Sequence, residues 1–384
     1  MPSLNSSKRK VLLVSEGGLY LAFRLPPMFR CAGWEVDLLC VAGDPMVHSR
    51  YISTSFSEKS WADLAVRLQQ ILRDPHRPWQ AVIVTHEQTV RGLMATGDAD
   101  LLTGWQPGAL NPEVRGFFLS KFAFEALHQR RHLLVPPSRI CRTAAEIQDF
   151  GRETGWPVIV KPPDGSGGAG VARFNSPAEL LAAALTFPIL AQKYIQGRRG
   201  LAEMVCSAGR PLAWLASYST QRKNGEYSPS TARLFCAMPE LQPLVEQVAQ
   251  FTQFEGFCGF DWMEDASTGQ RYLIEFHPRP SSGFRFGRFC GVDFPAAVAA
   301  WLQPETVAAF PLQAQAPGRS VAAHYFSGDL FRCLRQRDWR GLQAWLPGSG
   351  ACHDVFWDDL PLLAAWVTHR CRRRFSKSLS EKSK

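Results

Sequence analysis

The stretch 156–174 constrains the fold more than any other part of the sequence. It begins as a short apolar segment, continues through Lys161, and enters the loop Gly165–Gly170, which has four glycines in six residues. Because glycine has no Cβ, backbone N–H groups in such a loop can approach an anion closely. A lysine at the mouth of the loop adds a point charge suited to phosphate. The stretch therefore predicts a phosphate-binding loop that follows a buried strand.

Several known phosphate loops share features with this stretch. The spacing Gly165-x-Gly167-x-x-Gly170 matches the dinucleotide fingerprint, but that fingerprint requires a helix directly after the loop and an acidic residue about 20 positions later. Here a strand pattern follows the loop instead. The ending of a Walker loop is missing because Val171 follows Gly170, and the partner motifs of a protein kinase are also missing. A glycine hairpin between two strands remains, and an ordinary glycine-rich turn stays open as the alternative.

A second group of reactive side chains lies in a hairpin predicted over 259–280. Glu275, His277 and Arg279 alternate along one strand, so they share a face, and Asp261 can join them from the paired strand. Two neighbouring carboxylates repel each other and favour a bound cation. Mg²⁺ prefers such oxygens together with phosphates, and an arginine can bind a phosphoryl group with two N–H donors. A surface ion pair between Glu275 and Arg279 is the alternative.

The chain has 384 residues, a length that predicts two or three domains. Near the N-terminus, short apolar strands alternate with helical patterns, at Lys10–Val14, Glu35–Val41 and Ala81–Thr85. Such alternation is typical of a parallel sheet with helices on both faces. The turn Ser15–Gly18 joins the first strand to a helix predicted at Leu19–Cys31. More strand-rich segments follow a boundary near Pro107–Gly116, so the predicted fold class is mixed α/β and α+β.

Composition excludes several classes of protein. No apolar run reaches the roughly 18 residues that cross a bilayer, and residues 1–10 lack the apolar core of a signal peptide. We therefore expect a cytoplasmic protein without a transmembrane segment. None of the 10 cysteines forms a C-x-x-C pair, so we expect neither a zinc site nor a disulfide framework.

Part of the net charge of +9 lies in a basic tail at 369–384. Such a tail is usually solvated, and weak contact with an anionic membrane surface stays open. Because no nucleic-acid-binding motif accompanies the tail, we expect no nucleic-acid partner. A positive balance also suits an enzyme whose ligands are anionic.

The order of these motifs resembles the ATP-grasp superfamily, and in particular its carboxylate–amine ligases and carbamoyl-phosphate-synthase-like members. The likeness covers roughly residues 10–310. It is carried by Ser120-Lys121 with Val135–Ser138, Val158–Pro162 with Gly165–Val171, Gln192–Ile195, Gly259–Trp262 and Glu275–Arg279. The resemblance implies a Rossmann-like N-terminal domain followed by an ATP-grasp fold of two strand-rich subdomains. The corresponding boundaries are 1–116, 117–190, 191–315, and an appended helical segment with the basic tail at 316–384.

The resemblance also assigns roles to individual positions. Lys121 and Lys161 would contact the ATP phosphates, and Lys161 and Arg279 would be catalytic, Arg279 by binding the transferring phosphoryl group. The lid over the phosphates would be formed by Gly165, Ser166, Gly167, Gly168 and Gly170. The nucleoside would be bound by Gln192, Lys193, Tyr194, Ile195 and Glu203, the last at the ribose. Mg²⁺, or Mn²⁺, would be held by Asp261, Glu275 and His277.

Two positions depart from the family pattern. His277 stands where the family usually has Asn, and imidazole favours Mn²⁺ over Mg²⁺ more than an amide does. Gln192 replaces the usual Glu of the adenine segment, and it can still accept a hydrogen bond from the adenine amine.

The function implied by the resemblance is that of an ATP-dependent ligase. Such an enzyme phosphorylates a carboxylate to an acylphosphate and couples it to an amine, releasing ADP and phosphate. The partners would be small-molecule acids and amines, and an oligomer is possible. Substrate selection would fall to Ser281–Arg288 and the loop Arg222–Arg233, with Arg222, Arg233, Arg285 and Arg288 as candidate anion ligands. The alternative is an ATP-binding protein that keeps the fold in a regulatory or scaffolding role.

Overall fold

A computed structural model describes residues 9–15, 22–131, 133–165 and 167–382 of the chain, with side chains described up to Arg372 except that of Ala22. Four predictions concern residues outside this part. They are the absence of a signal peptide, the turn at 16–18, the start of the helix expected from Leu19, and the lid role of Ser166. Within it, no helix combines the length and apolar character needed to cross a membrane.

The N-terminal part is a parallel sheet of four strands with helices packed against it. The strands are β1 (Lys10–Ser15), β2 (Glu35–Val41), β3 (Ile52–Glu58) and β4 (Ala81–Val84), in the order β3-β2-β1-β4. The helices are α1 (Leu25–Cys31), α2 (Trp61–Arg73), α3 (Glu87–Ala95), α4 (Ala99–Thr103), α5 (Pro112–Leu119) and α6 (Ala123–Arg130). Short 3₁₀ turns occupy Ala22–Arg24, Pro45–His48 and Pro107–Leu110. The predicted Rossmann-like architecture is thus present.

Strand β3 was not predicted from the sequence. Its residues ISTSFSE are mostly polar, and the middle five are exposed. An edge strand buries little side-chain surface, so it lacks the apolar run by which β1, β2 and β4 were recognised. Parallel pairing with β2 fixes it at the edge of the sheet.

A small antiparallel sheet carries the glycine stretch. Its strands are β5 (Ser138–Cys141), β6 (Val158–Lys161), β7 (Ala172–Phe174) and β8 (Ile189–Lys193), in the order β5-β8-β6-β7. Helices α7 (Ala144–Thr154) and α8 (Pro177–Leu181) cover one face. Thr143 caps α7, accepting a hydrogen bond from the Glu146 N–H. A separate hydrophobic cluster that includes Ile147, Phe150 and Val160 forms the core of this unit.

The rest of the described chain is built on a large, mostly antiparallel sheet. Its strands are β9 (Gly197–Ser207), β10 (Arg210–Arg222), β11 (Ser230–Cys236), β12 (Gly256–Asp265), β13 (Arg271–His277), β14 (Gln313–Ala314), β15 (Ser320–His324) and β16 (Cys352–His353). They are ordered β13-β12-β9-β10-β11-β15-β16, with β14 beside β10. The helices are α9 (Gln242–Thr252), α10 (Gly287–Cys290), α11 (Phe294–Trp301), α12 (Pro304–Val307), α13 (Gly328–Gln336), α14 (Trp339–Gln343) and α15 (Leu360–Lys382). Further 3₁₀ turns lie at Pro239–Leu241 and Gly283–Phe286.

Two hydrophobic cores connect the large sheet with the N-terminal sheet. Alternate residues of β1 enter different cores: Leu12 packs in one cluster with Trp262, whereas Leu13 packs in the other with Phe257. This division follows from the alternation of side chains along a strand. The N-terminal part and the large sheet therefore share their packing and hold each other in place.

The C-terminal segment 316–384 is more than the appended helical piece expected from its composition. Strand β15 pairs with β11 and β16 with β15, so the segment extends the large sheet. A fully buried ion pair links Asp354 to Arg24 of the N-terminal part, and Asp359 accepts a 2.5 Å hydrogen bond from Ser49. The sequence did not reveal this because these contacts join residues more than 300 positions apart.

Replacing Trp366 with Ala tests whether this segment is integral to the fold. Trp366 is 5% exposed and packs on the rings of Phe326 and Phe356. Its loss should cost about 3–5 kcal/mol of unfolding free energy, measured by denaturant titration. The control, Trp357→Ala, removes a ring that is 70% exposed and should cost less than about 0.5 kcal/mol. Equal effects of the two changes would contradict the packing described.

Candidate active site

A deep cleft lies between the small sheet and the large sheet. It encloses about 1040 Å³, including the part open to solvent, which is the size of a site for a nucleotide-sized ligand. Of the predicted site residues, the cleft is lined by Lys121, Lys161, Gly165, Gly168, Gln192, Lys193, Tyr194, Ile195 and Glu275. Segments that lie far apart in the sequence thus meet in one cavity.

Lys161 is held in place by a chain of buried hydrogen bonds. Its Nζ donates to Gln192 Oε1 at 2.7 Å, and Gln192 Nε2 donates to the Ser138 hydroxyl at 2.9 Å. The pairing of β6 with β8 places Ile159 opposite Gln192 and sets this geometry. Burial, reinforced by repulsion from Lys121 and Arg199, lowers the pKa of Lys161 to about 8 despite attraction from Glu275. An anion bound in the pocket would therefore stabilise the charged form of Lys161.

Lys121 approaches the same region from the segment before α6. Its backbone N–H donates to Pro163 O at 3.0 Å, and its Nζ donates to Gly165 O at 2.6 Å. The Nζ also lies 3.8 Å from the Glu275 carboxylate. Lys121 thus joins the glycine loop to the hairpin that carries the acidic residues.

The glycine loop has a backbone that other residues rarely adopt. Gly165, Gly167, Gly168 and Gly170 all have positive φ, between 64° and 114°. At Gly168 an added Cβ would lie 2.2 Å from the backbone oxygen of Tyr227. The loop therefore packs directly on the turn between β10 and β11, and glycine is required there for both conformation and space.

Part of the cleft lining is apolar. Ile159, Met263 and Ile274 supply apolar walls beside Lys193–Ile195. The N–H groups of Lys193 and Tyr194 donate to Pro137 O and Pro157 O, which fixes the backbone of this segment. The guanidinium of Arg173 lies over the Tyr194 ring at 5.2 Å.

Asp261, Glu275 and His277 converge as the sequence predicted. Antiparallel pairing of β12 with β13 places Asp261 opposite Glu275, and one ligand atom from each of the three residues lies within 4.8 Å of the others. Among the described residues, no other group of three His, Cys, Asp or Glu side chains is close enough to hold a metal ion. His277 Nδ1 is buried and has no hydrogen-bond partner in the described chain. This donor set fits Mg²⁺ or Mn²⁺.

The charges around Asp261 are strongly coupled. Burial acts to raise the pKa of Asp261, but the ion pair with Arg199 and the proximity of His277 outweigh it and hold the pKa far below its ordinary value. His277 Nε2 lies 3.7 Å from Asp261 Oδ1. Burial alone would lower the pKa of His277, but Asp261 and Glu275 raise it overall. Asp261 therefore stays ionised and available to a cation.

Arg279 extends this strand toward the N-terminal part. Its Nη2 lies 3.2 Å from Glu87 Oε2, at the start of α3, and its Nη1 donates to Pro280 O. Glu87 also pairs with Arg91 at 2.8 Å. Burial tends to raise the pKa of Glu87, but His277, Arg279 and Arg91 lower it overall. The carboxyl end of β4 thus borders the candidate catalytic residues.

Glu203 takes a different place from the one expected at a ribose. It is fully buried and does not line the cleft. It accepts hydrogen bonds from the Ser281 hydroxyl and from the Gly283 N–H, the latter at 2.7 Å. Burial raises the pKa of Glu203 even though these donors act in the opposite direction. Its observed contacts orient the segment that follows Arg279.

The four arginines considered for substrate binding divide into two groups. Arg222 lines the cleft, and Arg233 lies close enough to Asp261 and Glu203 to lower the pKa of both. By contrast, Arg285 pairs with Asp358 at 2.8 Å, and Arg288 stacks on Phe289. The first pair is thus near the candidate site, whereas the contacts of the second pair stabilise other parts of the fold.

Several residues of the cleft were not found from the sequence. They are Ile159, Arg199, Met263 and Ile274. Ile159 had a usable signal, because it is two positions before Lys161 and shares its face of the strand. No signal in the sequence pointed to Arg199, because it reaches Asp261 only through the pairing of β9 with β12.

Residues 121–283 match the family model described as the ATP-grasp domain. The chain contains an ATP-grasp domain. The match begins at Lys121 and ends shortly after Arg279, so it spans the glycine loop and the acidic hairpin. The predicted resemblance is confirmed. A search of curated proteins found no match to the sequence.

Solved structures show the same fold. An L-amino acid ligase from Bacillus licheniformis is 16% identical, covering 82% of this chain and 79% of its own, with a TM-score of 0.56. An Aspergillus clavatus N5-carboxyaminoimidazole synthase in complex with ADP and 5-aminoimidazole ribonucleotide is 17% identical, covering 80% and 79%, with a TM-score of 0.57. The biotin carboxylase domain of the Hydrogenobacter thermophilus 2-oxoglutarate carboxylase, in complex with MgADP, ADP and bicarbonate, is 17% identical, covering 77% and 69%, with a TM-score of 0.56. The predicted fold class, a Rossmann-like domain before an ATP-grasp fold, is confirmed.

Gly168→Ala tests the glycine loop of this ATP-grasp domain. The new methyl group would collide with Tyr227 O at a φ of 82°. The clash and the strained backbone should destabilise this conformation of the loop by about 1–3 kcal/mol. Calorimetry should therefore show weaker binding of an ATP analogue. Gly33→Ala is the control, since Gly33 has a φ of 85° with nothing within 4 Å. Unchanged affinity in Gly168→Ala would show that the loop does not close on nucleotide in this way.

Proposed function

We propose that the protein is an ATP-dependent ligase that activates a carboxylate as an acylphosphate and couples it to an amine. The observation that carries the proposal is the convergence of Lys121, Lys161 and Glu275 on one cleft that the glycine loop also lines, with Asp261 and His277 grouped beside Glu275. Of the predicted domain boundaries, the one at 116 is proposed with it; 190 falls within β8 of the small sheet, and β15 and β16, which follow 315, belong to the large sheet. Structures of the same fold include ligases and carboxylases.

ATP would lie along the cleft with its base against the apolar part of the lining. Gln192–Ile195 and the apolar side chains Ile159, Met263 and Ile274 would enclose adenine. The phosphates would extend toward Lys161 and Lys121, below Gly165–Gly170. This orientation matches apolar surface with the base and cationic surface with the phosphates.

The acidic hairpin would hold the metal ion. Asp261, Glu275 and His277 fit Mg²⁺, with Mn²⁺ favoured by the imidazole. The bound ion would neutralise phosphate charge during transfer. Arg199 pairs with Asp261 in the present structure and would shift its attraction toward phosphate oxygens when a cation takes its place.

The reaction requires two anions to approach each other. A carboxylate oxygen of the acid attacks the γ-phosphorus, the bond to the β–γ bridging oxygen breaks, and ADP leaves. The amine then attacks the acyl carbon, loses a proton and displaces phosphate. Lys121, Lys161 and Arg279 would reduce the repulsion in the first step, and the glycine loop would exclude water from the acylphosphate.

The acid and amine would bind beyond Arg279. Ser281–Gly283, Arg233 and the carboxyl end of β4 would border this region. Arg222 and Arg233 are the arginines placed to attract an anionic substrate group. The alternative function, ATP binding without ligation, is favoured by the histidine at 277 and by the engagement of Asp261 with Arg199.

Release of ADP from purified protein distinguishes these functions. With Mg²⁺ or Mn²⁺ and a library of acids and amines, we expect at least one pair to stimulate ADP release, and Lys161→Ala should lower kcat/KM by about 100-fold or more. Lys59→Ala, which removes an exposed lysine, should leave it unchanged. ATP binding without stimulation by any pair would support the alternative. Full activity of Lys161→Ala would contradict the role of Lys161.

The affinity for ATP should depend on pH through Lys161. Its pKa of about 8 should rise when phosphates bind, because they favour the charged form. Affinity should therefore be constant below about pH 8 and fall at higher pH, by up to tenfold per unit. Calorimetry with a non-hydrolysable ATP analogue measures this. Lys161→Arg stays charged, so its affinity should not fall in this range; a pH-independent wild type would contradict the expectation.

A further inference from the structure

Of the three candidate metal ligands, one lines the cleft and two do not. Glu275 is part of the lining, whereas Asp261 and His277 are not. The side chain of Asp261 is almost fully buried, and its carboxylate is paired with the guanidinium of Arg199. Arg199 itself lines the cleft. Arg199 therefore connects the wall of the cleft with a carboxylate that a metal ion would need and that the cleft does not reach.

Strand pairing sets the contact between Arg199 and Asp261. In the register of β9 with β12, Asp261 lies opposite Leu201, two positions from Arg199, and the two strands stay in register along the whole of β12. Side chains two positions apart share a face of a strand, so Arg199 reaches Asp261 across the diagonal. The Arg199 side chain is 28% exposed. It can thus turn toward the cleft while the backbone of β9 keeps its place.

Glu275 has a partner of the same kind. Its carboxylate lies 3.8 Å from Lys121 Nζ, and Lys121 also lines the cleft. Each carboxylate of the metal group therefore lies beside a cation that borders the cleft. Phosphates attract such cations, and a divalent ion attracts such carboxylates. A complex of a metal ion with a nucleotide can exchange partners with both pairs at once, whereas a metal ion alone offers nothing to the cations that it displaces.

We propose that Arg199 competes with the metal ion for Asp261, so that the ion binds tightly only together with nucleotide phosphates. Without phosphates, the ion must break the pair and leave a partly buried guanidinium without a counter-charge, which is costly. With phosphates, the guanidinium donates its hydrogen bonds to phosphate oxygens and Asp261 is released. By linkage, the ion raises the affinity for nucleotide by the same factor. This inference rests on the proposed function and concerns how its cofactors bind.

Mn²⁺ binding to the full chain, followed by electron paramagnetic resonance without nucleotide, tests this competition. Arg199→Gln should bind Mn²⁺ about tenfold or more tightly than the wild type, because Asp261 loses its competitor. Arg199→Lys keeps the charge but loses the forked donors, so it should show a smaller gain. Addition of ADP should raise the Mn²⁺ affinity of the wild type by a larger factor than that of Arg199→Gln.

The matched control is Arg222→Gln. Arg222 also lines the cleft, but its guanidinium donates to Glu226 O, so the change removes a positive charge and leaves the pair of Arg199 with Asp261 intact. Its Mn²⁺ affinity should rise by less than about threefold. An equal gain in Arg199→Gln and the control would show that only the overall charge of the cleft matters, and would overturn the proposal.

The remaining outcomes separate this proposal from the proposed function. Circular dichroism checks that each variant folds, and Arg199→Lys carries the test if Arg199→Gln does not fold. Unchanged Mn²⁺ affinity in the folded Arg199 variants, with ADP release by the wild type intact, would refute the competition and leave the ligase proposal standing. If the wild type bound no Mn²⁺ even with ADP, the metal site would be refuted, and both proposals with it.

Discussion

The arrangement of the cleft depends on how its buried charges are paired. Lys161 is held by an amide rather than by a carboxylate, and Asp261 is paired with Arg199 while a second carboxylate, Glu275, lies beside it. Among the described residues, the positive charge of Lys161 has no carboxylate partner in its half of the site. In the other half, the two carboxylates of Asp261 and Glu275 face the cation of Arg199. A ligand that carries both phosphates and a divalent cation would satisfy both halves at once, because an isolated buried charge is costly and an opposite charge offsets part of that cost.

This arrangement requires the two sheets to be held at a fixed distance, and the rest of the molecule does that. The N-terminal sheet shares both hydrophobic cores with the large sheet. Glu87 and Arg279 connect the two parts beside the site. The C-terminal segment completes the large sheet through β15 and is tied to the N-terminal part by Arg24 and Asp354. By contrast, the small sheet that bears the glycine loop has a core of its own.

Sequence reasoning succeeded where a residue's role depends on its near neighbours. Lys161 and the glycines that follow it could be grouped because a strand, a cation and a glycine loop are consecutive. Glu275, His277 and Arg279 could be assigned to one strand face because strand side chains alternate, and the catalytic and binding roles of all these residues remain predictions. It missed β3, whose exposed residues leave no apolar pattern, and it gave Glu203 a ribose role although its contacts are with Ser281 and Gly283. The segment after Ala316 was misjudged because short strands pair with partners remote in the chain.

The sequence by itself determined the order of elements, the glycine loop, the two lysines and the acidic hairpin, since each is specified by residues within one or two elements. Only the tertiary structure decided that Arg199 meets Asp261, that Tyr227 supports the loop at Gly168, and that the C-terminal segment joins the main sheet. The physical reason is that strand pairing between distant segments is fixed by the packing of the whole chain. For strands that are distant in the chain, no local pattern of residues encodes the partner.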